Sequence, residues 1–348
     1  MKHRVFLISA LAALILTSCE SLSEDDKFIE FKDLLVEEIC LTYYDIDRDR
    51  RLSFDEAAAA HTLLGFGGQD IVSFDELRYF TGLQVITNFC SCQKLKHITL
   101  PGNIKAISSS AFQNCISLQK IVIPDGVTTI GHDAFLGCTS LEDISLPNSI
   151  STIESRAFGN CSSLTDINLP NNIQFITSAL FVNCTSLRNV VFHGDNITTI
   201  ENNAFASCTS LTEMVLPNSV TKVGSGAFYN CSSIKSIIMN GVTQLNMCVV
   251  NKCPNLSSVS IDSIVSIAES AFVDCENLKS ITLPTTIKFI GINALLSVDN
   301  IYCKAPTPPS AYLAFANPHP DMHIYVPTAS VDAYKKAWGD HYDIIGYF

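Results

Sequence analysis

From residue 83 onward the apolar positions return on a beat of about 23 residues. One unit reads Cys115-Ile116-Ser117-Leu118-Gln119-Lys120-Ile121-Val122-Ile123-Pro124, then Val127, Ile130, Ala134-Phe135 and Cys138. Ile121 and Ile123 keep the two-residue period of a strand. Pro124 and Asp125-Gly126 then turn the chain. Val127 and Ile130 form a second short extended run, Phe135 plugs the next corner, and Cys138 closes the coil. Cysteines mark the beat at positions 92, 115, 138, 161, 184, 208, 231, 253 and 275. Phe112, Phe135, Phe158, Phe205, Phe228 and Phe272 keep it in Ala-Phe pairs, and Phe181 follows Leu180 in the same slot.

No such unit buries its apolar side chains alone. Stacked neighbours do, with parallel strands spaced about 4.8 Å apart. A fixed period of this length is the signature of a repeat architecture. The expected fold is a β-rich solenoid of about ten coils, each of 22–24 residues, over residues 81–303. Two coils depart from the pattern, with Val250 and Leu295 in the Phe slot. Asp195, Asn240 and Asp262 interrupt the proline that follows the strand. Residues 304–348 carry an Ile324-Tyr325-Val326-Pro327 strand phrase and a short helix at 330–338. Their expected role is an end cap over the last coil.

The recurring L-x-x-I-x-L-P … I-x-x-I-x-x-x-A-F-x-x-C pattern resembles the BspA-like leucine-rich repeats. The resemblance implies a surface protein that contacts host or microbial surface proteins or glycans.

Residues 1–18 read as a signal peptide. Lys2, His3 and Arg4 form a basic head, and Val5 to Leu16 an apolar run too short to span a bilayer. Leu16-Thr17-Ser18-Cys19 resembles a bacterial lipobox, which implies cleavage before Cys19 and its lipidation. A plain secretory signal is the alternative. Residues 19–27 form an acidic tether resembling the signals that carry lipoproteins of the Bacteroidetes to the outer face of the outer membrane. A periplasm-facing anchor is the other reading.

Residues 28–80 are expected to form a small acidic module with some helix, one of them from Asp55 to Leu64, capped by Ser53. The frame from Asp45 to Glu56 resembles a calcium loop of the EF-hand or dockerin kind. Asp45, Asp47, Asp49, the Arg51 carbonyl, Ser53 and Glu56 fall where the oxygens around a hard cation belong. It departs from the pattern at Arg50, where the turn calls for glycine, and Arg48, Arg50 and Arg51 set cations beside the loop. A phrase 20 residues later, Ile71 to Glu76, has Gly65, Gly67 and Gln69 in place of the acids and holds no such ion. The alternative to calcium is a structural cap in which Leu52 and Val72 pair, with Phe54 and Phe74 beneath.

Charge and cysteine content narrow the function. The chain carries a formal −12, and residues 20–80 hold 16 acidic against 6 basic residues. An acidic chain without a basic stripe repels phosphate backbones, so nucleic acid is not an expected partner. The cysteine ladder reads as free buried thiols, because stacked slots point parallel rather than face to face. No phosphate loop, nucleophile elbow or paired-His metal helix occurs. His319, Asp321, His323, His341 and Asp343 cluster near the end, but beside prolines they read as a solvated turn. The chain is therefore expected to bind rather than catalyse. The stacked strands present outward rows, and Val191, Val215 and Ile238 form an apolar strip beside Asn189 and Glu213. That strip is the candidate ligand face, although it lacks Trp, Tyr or Arg anchors. The competing role is an envelope scaffold that binds another bacterial component through the acidic module.

Overall fold

The computed structural model describes residues 27–311, 313–315, 322–339 and 342–348. The chain winds into a solenoid of about 12 turns of parallel strands. As far as Ser310–Ala311, each turn carries two short strands. The front strands begin with Ser73–Phe74 and His97–Ile98 and end with Asn300–Cys303, His323–Val326 and Asp343–Gly346. The back strands run from Val85–Ile86 to Ser310–Ala311. All pairings between them are parallel and in register, as in Lys120↔Asp143 and Ile121↔Ile144. The alternation read from the sequence holds. Lys120 and Val122 face out while Ile121 is buried, and Asp143 and Ser145 face out around buried Ile144.

The turn count exceeds the ten expected because the ladder extends at both ends. Ser73–Phe74, within the expected acidic module, already pairs with His97–Ile98. At the far end, His323–Val326 and Asp343–Gly346 add rungs beyond Cys303. The steps from Ser73 to His97 and from Asn300 to His323 keep the beat, at 24 and 23 residues, and the step from His323 to Asp343 is shorter, at 20.

Side chains at the corners form continuous columns. Rings of Phe89, Phe112, Phe135, Phe158, Phe181, Phe205 and Phe228 stack at 5.3–5.7 Å between centroids, no more than 14° from parallel. All are fully buried. Two residues per turn take left-handed backbone, one before the Ala-Phe pair and one before the cysteine. Asn114, Asn160, Asn183 and Asn230 sit at φ 58–59° in the second slot, and Gly137 takes it at 76°. Asn tolerates this region better than most side chains, which accounts for the repeated Asn-Cys.

The amino-terminal unit packs on the first turn. Helix α1 (Leu34–Tyr43) buries Val36, Ile39 and Cys40. One oxygen of its N-cap Asp33 accepts from Leu35 and Val36, and the other from Val72 and Ser73, tying the helix to the first front strand. Helix α2 (Phe54–Ala59) is shorter than expected. Ser53 and Glu56 form a capping box at its start, but Ala60 is extended at ψ 124°. The chain leaves the helix there to bury Leu63 and Phe66. The expected pairing of Leu52 with Val72 is replaced. Leu52 accepts from the Ile29 N–H at 2.8 Å, and Ser53 bridges Phe28. Phe54 is only partly buried, edge-on to Tyr79, whereas Phe74 lies deep against Phe66.

At the other end, helix α3 (Val331–Trp338) lies over the last turns. Ser330, Tyr334 and Trp338 donate to the carbonyls of Pro306, Ala305 and Pro309. No helix among the described residues is long and apolar enough to cross a membrane.

Candidate functional site

The front ladder is not uniform. Asn189–Val191 pairs with Asp166–Asn168 on one side, but on the other it makes no ladder with Glu213–Val215. At the other interruptions of the front ladder the neighbouring strands stay close, and here they separate. The cause is visible in the spacing. The step from Cys184 to Cys208 is one residue longer than its neighbours, and the extra residue falls in the turn at His193-Gly194-Asp195, which has no proline. Gly194 takes φ 80° there. The longer turn lets the strand ahead of it lean away from the next coil.

The opening is a shallow recess of about 440 Å³ lined by Val190, Val191, Phe192, Gly194, Asp195, Val215, Leu216 and Pro217. Val190 and Phe192 are half-exposed here, whereas their counterparts in the flanking coils, Ile167 with Leu169 and Met214 with Leu216, are buried. Val191 and Val215 are 41% and 57% exposed, and Ile238 continues the strip in register with Val215. The expected ligand-face residues are thus brought together, and the recess between two of them was not foreseen. Asn189 donates to the Asp166 carboxylate, which holds that carboxyl below its usual range. Asp195 in the lining and Glu213, two positions from Val215 on its strand, give the recess an acidic rim.

A similar recess of about 410 Å³ lies on the back, between Thr152-Ile153 and the half-exposed Phe175. The back ladder is interrupted at the same place. A third, of about 450 Å³, lies between Phe28 to Phe31 and Arg50 to Leu52, where the Arg51 guanidinium sits 3.8 Å over the Phe28 ring.

In the acidic loop, carboxylate oxygens of Asp45, Asp47 and Asp49 lie within 4.8 Å of one another. Arg50 adopts φ 67° despite its side chain, so the sharp turn is made without glycine. Asp45 accepts from the Arg48 and Arg50 N–H groups. The loop therefore has a shape and donor set that fit a hard cation. Glu56 is engaged elsewhere. Burial pulls its carboxyl up, but hydrogen bonds from Ser53, Ile46 and Asp47 outweigh that and hold it below the usual range.

Cys19, His319, Asp321 and His341 lie outside the described residues. His323 and Asp343 stand on adjacent front strands, where they hydrogen-bond, rather than in the solvated turn the sequence suggested. All thirteen described cysteines are free thiols.

The family model for the BspA type leucine-rich repeat region matches residues 86–211 and 198–304, in six copies. The chain belongs to this family. Among solved structures, this BspA-type protein is similar to a leucine-rich repeat protein of Treponema pallidum. The two are 30% identical over 52% of this chain and 77% of that one, with a TM-score of 0.37. A leucine-rich repeat protein of Bacteroides ovatus is 24% identical over 77% and 82%, with a TM-score of 0.48. A leucine-rich cell surface protein of Faecalibacterium prausnitzii is 23% identical over 76% and 83%, with a TM-score of 0.43. No curated protein matches significantly. Leucine-rich repeat solenoids are typically binding or scaffold proteins.

Two clusters escaped the sequence. Asp133, 5% exposed, receives both arms of the Arg156 guanidinium from the next coil. Tyr302 and Tyr325 extend the outward row of Val215 and Ile238 into the last rungs of the front face. Their signal was the shared phrase Ile-Tyr-Cys/Val at 301–303 and 324–326.

Proposed function

We propose that this BspA-type protein is a lipid-anchored binding protein of the cell surface, tethered through Cys19 to the outer membrane, that captures a protein ligand on its front face. The observation that carries this reading is the recess between Val191 and Val215. It pairs exposed apolar walls with an acidic rim, an arrangement suited to an aliphatic or aromatic anchor flanked by basic side chains. Host or microbial surface proteins displaying such a loop are the partner class. Catalysis has no part in this reading.

Calcium belongs to the same proposal. Asp45, Asp47 and Asp49 would hold it with the Arg51 carbonyl and Ser53, and Glu56 would join by leaving its capping box. Arg48, Arg50 and Arg51 make the affinity weak. The ion would stiffen the loop against α1 rather than touch the ligand.

The test is a screen of the full chain against matrix proteins and mucins, with calcium and with chelator. A hit that survives Asp45→Ala and falls with Val215→Asp supports the front face. A hit lost with chelator and Asp45→Ala instead supports the scaffold reading through the acidic module.

A further inference from the structure

The last rungs of the front face carry an aromatic group that stands apart from the recess. Tyr302 and Tyr325 stack in register, 4.6 Å between centroids and 10° from parallel. Each covers one face of the other, so these rings offer edges and hydroxyls outward. Tyr347 crosses both at 5.5 Å, tilted by 62° and 68°, and remains 62% exposed. It is held in place by two rings while most of its own surface meets water. Phe348 leans edge-on against it at 5.0 Å.

The neighbouring row is polar. His323 bonds Asp343 through Nδ1, and both side chains are partly exposed. Asn300 stands in register with His323. Over these rungs the two rows hold Ser280, Asn300, His323 and Asp343 beside Thr282, Tyr302, Tyr325 and Ile345, with no lysine or arginine in either.

We infer that Tyr347, braced by Tyr302 and Tyr325 and flanked by the His323–Asp343 pair, is a binding platform for a neutral glycan. A pyranose has a C–H face and a rim of hydroxyls. The C–H face packs on an exposed aromatic ring. The rim needs fixed donors and acceptors close by, and the imidazole, carboxylate, amide and phenols supply both kinds. The absence of cations from both rows disfavours sulfated, uronate or sialylated sugars, whose charges call for Arg or Lys. A protein anchor fits less well, because such anchors sit in desolvated pockets, and the recesses described above lie elsewhere on the solenoid. The site is separate from the front recess, so Val215→Asp leaves it intact.

The experiment is calorimetric titration of the full chain with cellohexaose, xylohexaose and mannohexaose, and with a sulfated oligosaccharide as the acidic counterpart. The expected result is binding of at least one neutral hexasaccharide. Tyr347→Ala weakens it about tenfold or more, equivalent to the loss of one stacked ring. Tyr347→Phe, which keeps the ring, stays within about threefold. The thermal midpoint of each variant is measured alongside, since Tyr347 is exposed and its removal leaves the fold in place. No binding of any neutral hexasaccharide at millimolar concentration overturns the inference. So does binding of the sulfated sugar alone, or neutral binding that Tyr347→Ala leaves unchanged. Loss of protein capture in Val215→Asp with glycan binding retained separates this site from the proposed recess.

Discussion

The thiol of Cys161 donates to the carbonyl of Phe135 in the preceding coil, at 3.2 Å. The same contact repeats along the ladder at 3.0–3.2 Å, from Cys92 onto Phe66 through Cys253 onto Phe228, and Cys275 makes it to Val250. Each thiol fills the corner beneath the phenylalanine column and gives a second donor to a carbonyl that, at Phe135 for one, already accepts from the Cys138 N–H of its own turn. The cysteine is therefore retained as a small apolar residue with one weak donor. Among the described cysteines only Cys90 and Cys248 are partly exposed. A thiol reagent on the native chain should label those two quickly and the other described thiols only after unfolding. Mass mapping of the labelled sites checks this.

Burial pushes the thiols of Cys138, Cys184 and Cys231 up to about 12, from an ordinary value of 9.0. Between these values the unfolded chain has released protons that the folded chain still holds. Raising the pH therefore favours unfolding. The stabilisation is complete below pH 9 and is lost as pH climbs toward 12. Urea midpoints measured from pH 8 to 11 should fall, and fall less steeply in a Cys138→Ala, Cys184→Ala, Cys231→Ala triple variant.

Phe158 lies in the middle of the ring column, with neighbours 5.5 and 5.7 Å away. Phe158→Ala removes both contacts and leaves a cavity that rigid coils cannot close. A loss of about 3–5 kcal/mol is expected, read from urea unfolding.

Arg50 sits at φ 67° where the loop turns. Arg50→Gly relieves that strain and removes one cation beside the three aspartates. Stability should rise by about 0.5–1 kcal/mol. Calcium affinity, measured by calorimetry, should rise with it and vanish in Asp45→Ala.

The sequence shows the interior better than the surface. Ile121, Ile144 and the phenylalanine column are legible because burial imposes one residue type on every coil. The left-handed slot before the cysteine is legible in the repeated Asn-Cys, whereas the slot before the Ala-Phe pair, filled by residues as different as Ser110, Asp133 and Arg156, is not. The recess was not, because it arises from one inserted residue at His193-Gly194-Asp195, whose effect depends on how the next strand packs. Ser73–Phe74 was assigned to the acidic module because its phrase copies Ser53-Phe54, although its backbone pairs with the first coil. Tyr302 and Tyr325 repeat the Ile-Tyr phrase at an interval of 23 residues, but that phrase does not show that the two rings stack or that Tyr347 crosses them.

Capture of a protein ligand at the front recess is tested most directly by surface plasmon resonance. The full chain and its Val215→Asp and Val191→Asp variants are passed over immobilised matrix proteins and mucins, with matched thermal midpoints. Binding by the parent chain that drops at least tenfold in both variants, a loss of about 1.4 kcal/mol or more, is the expected result. Binding that both variants retain in full would contradict a ligand site between Val191 and Val215.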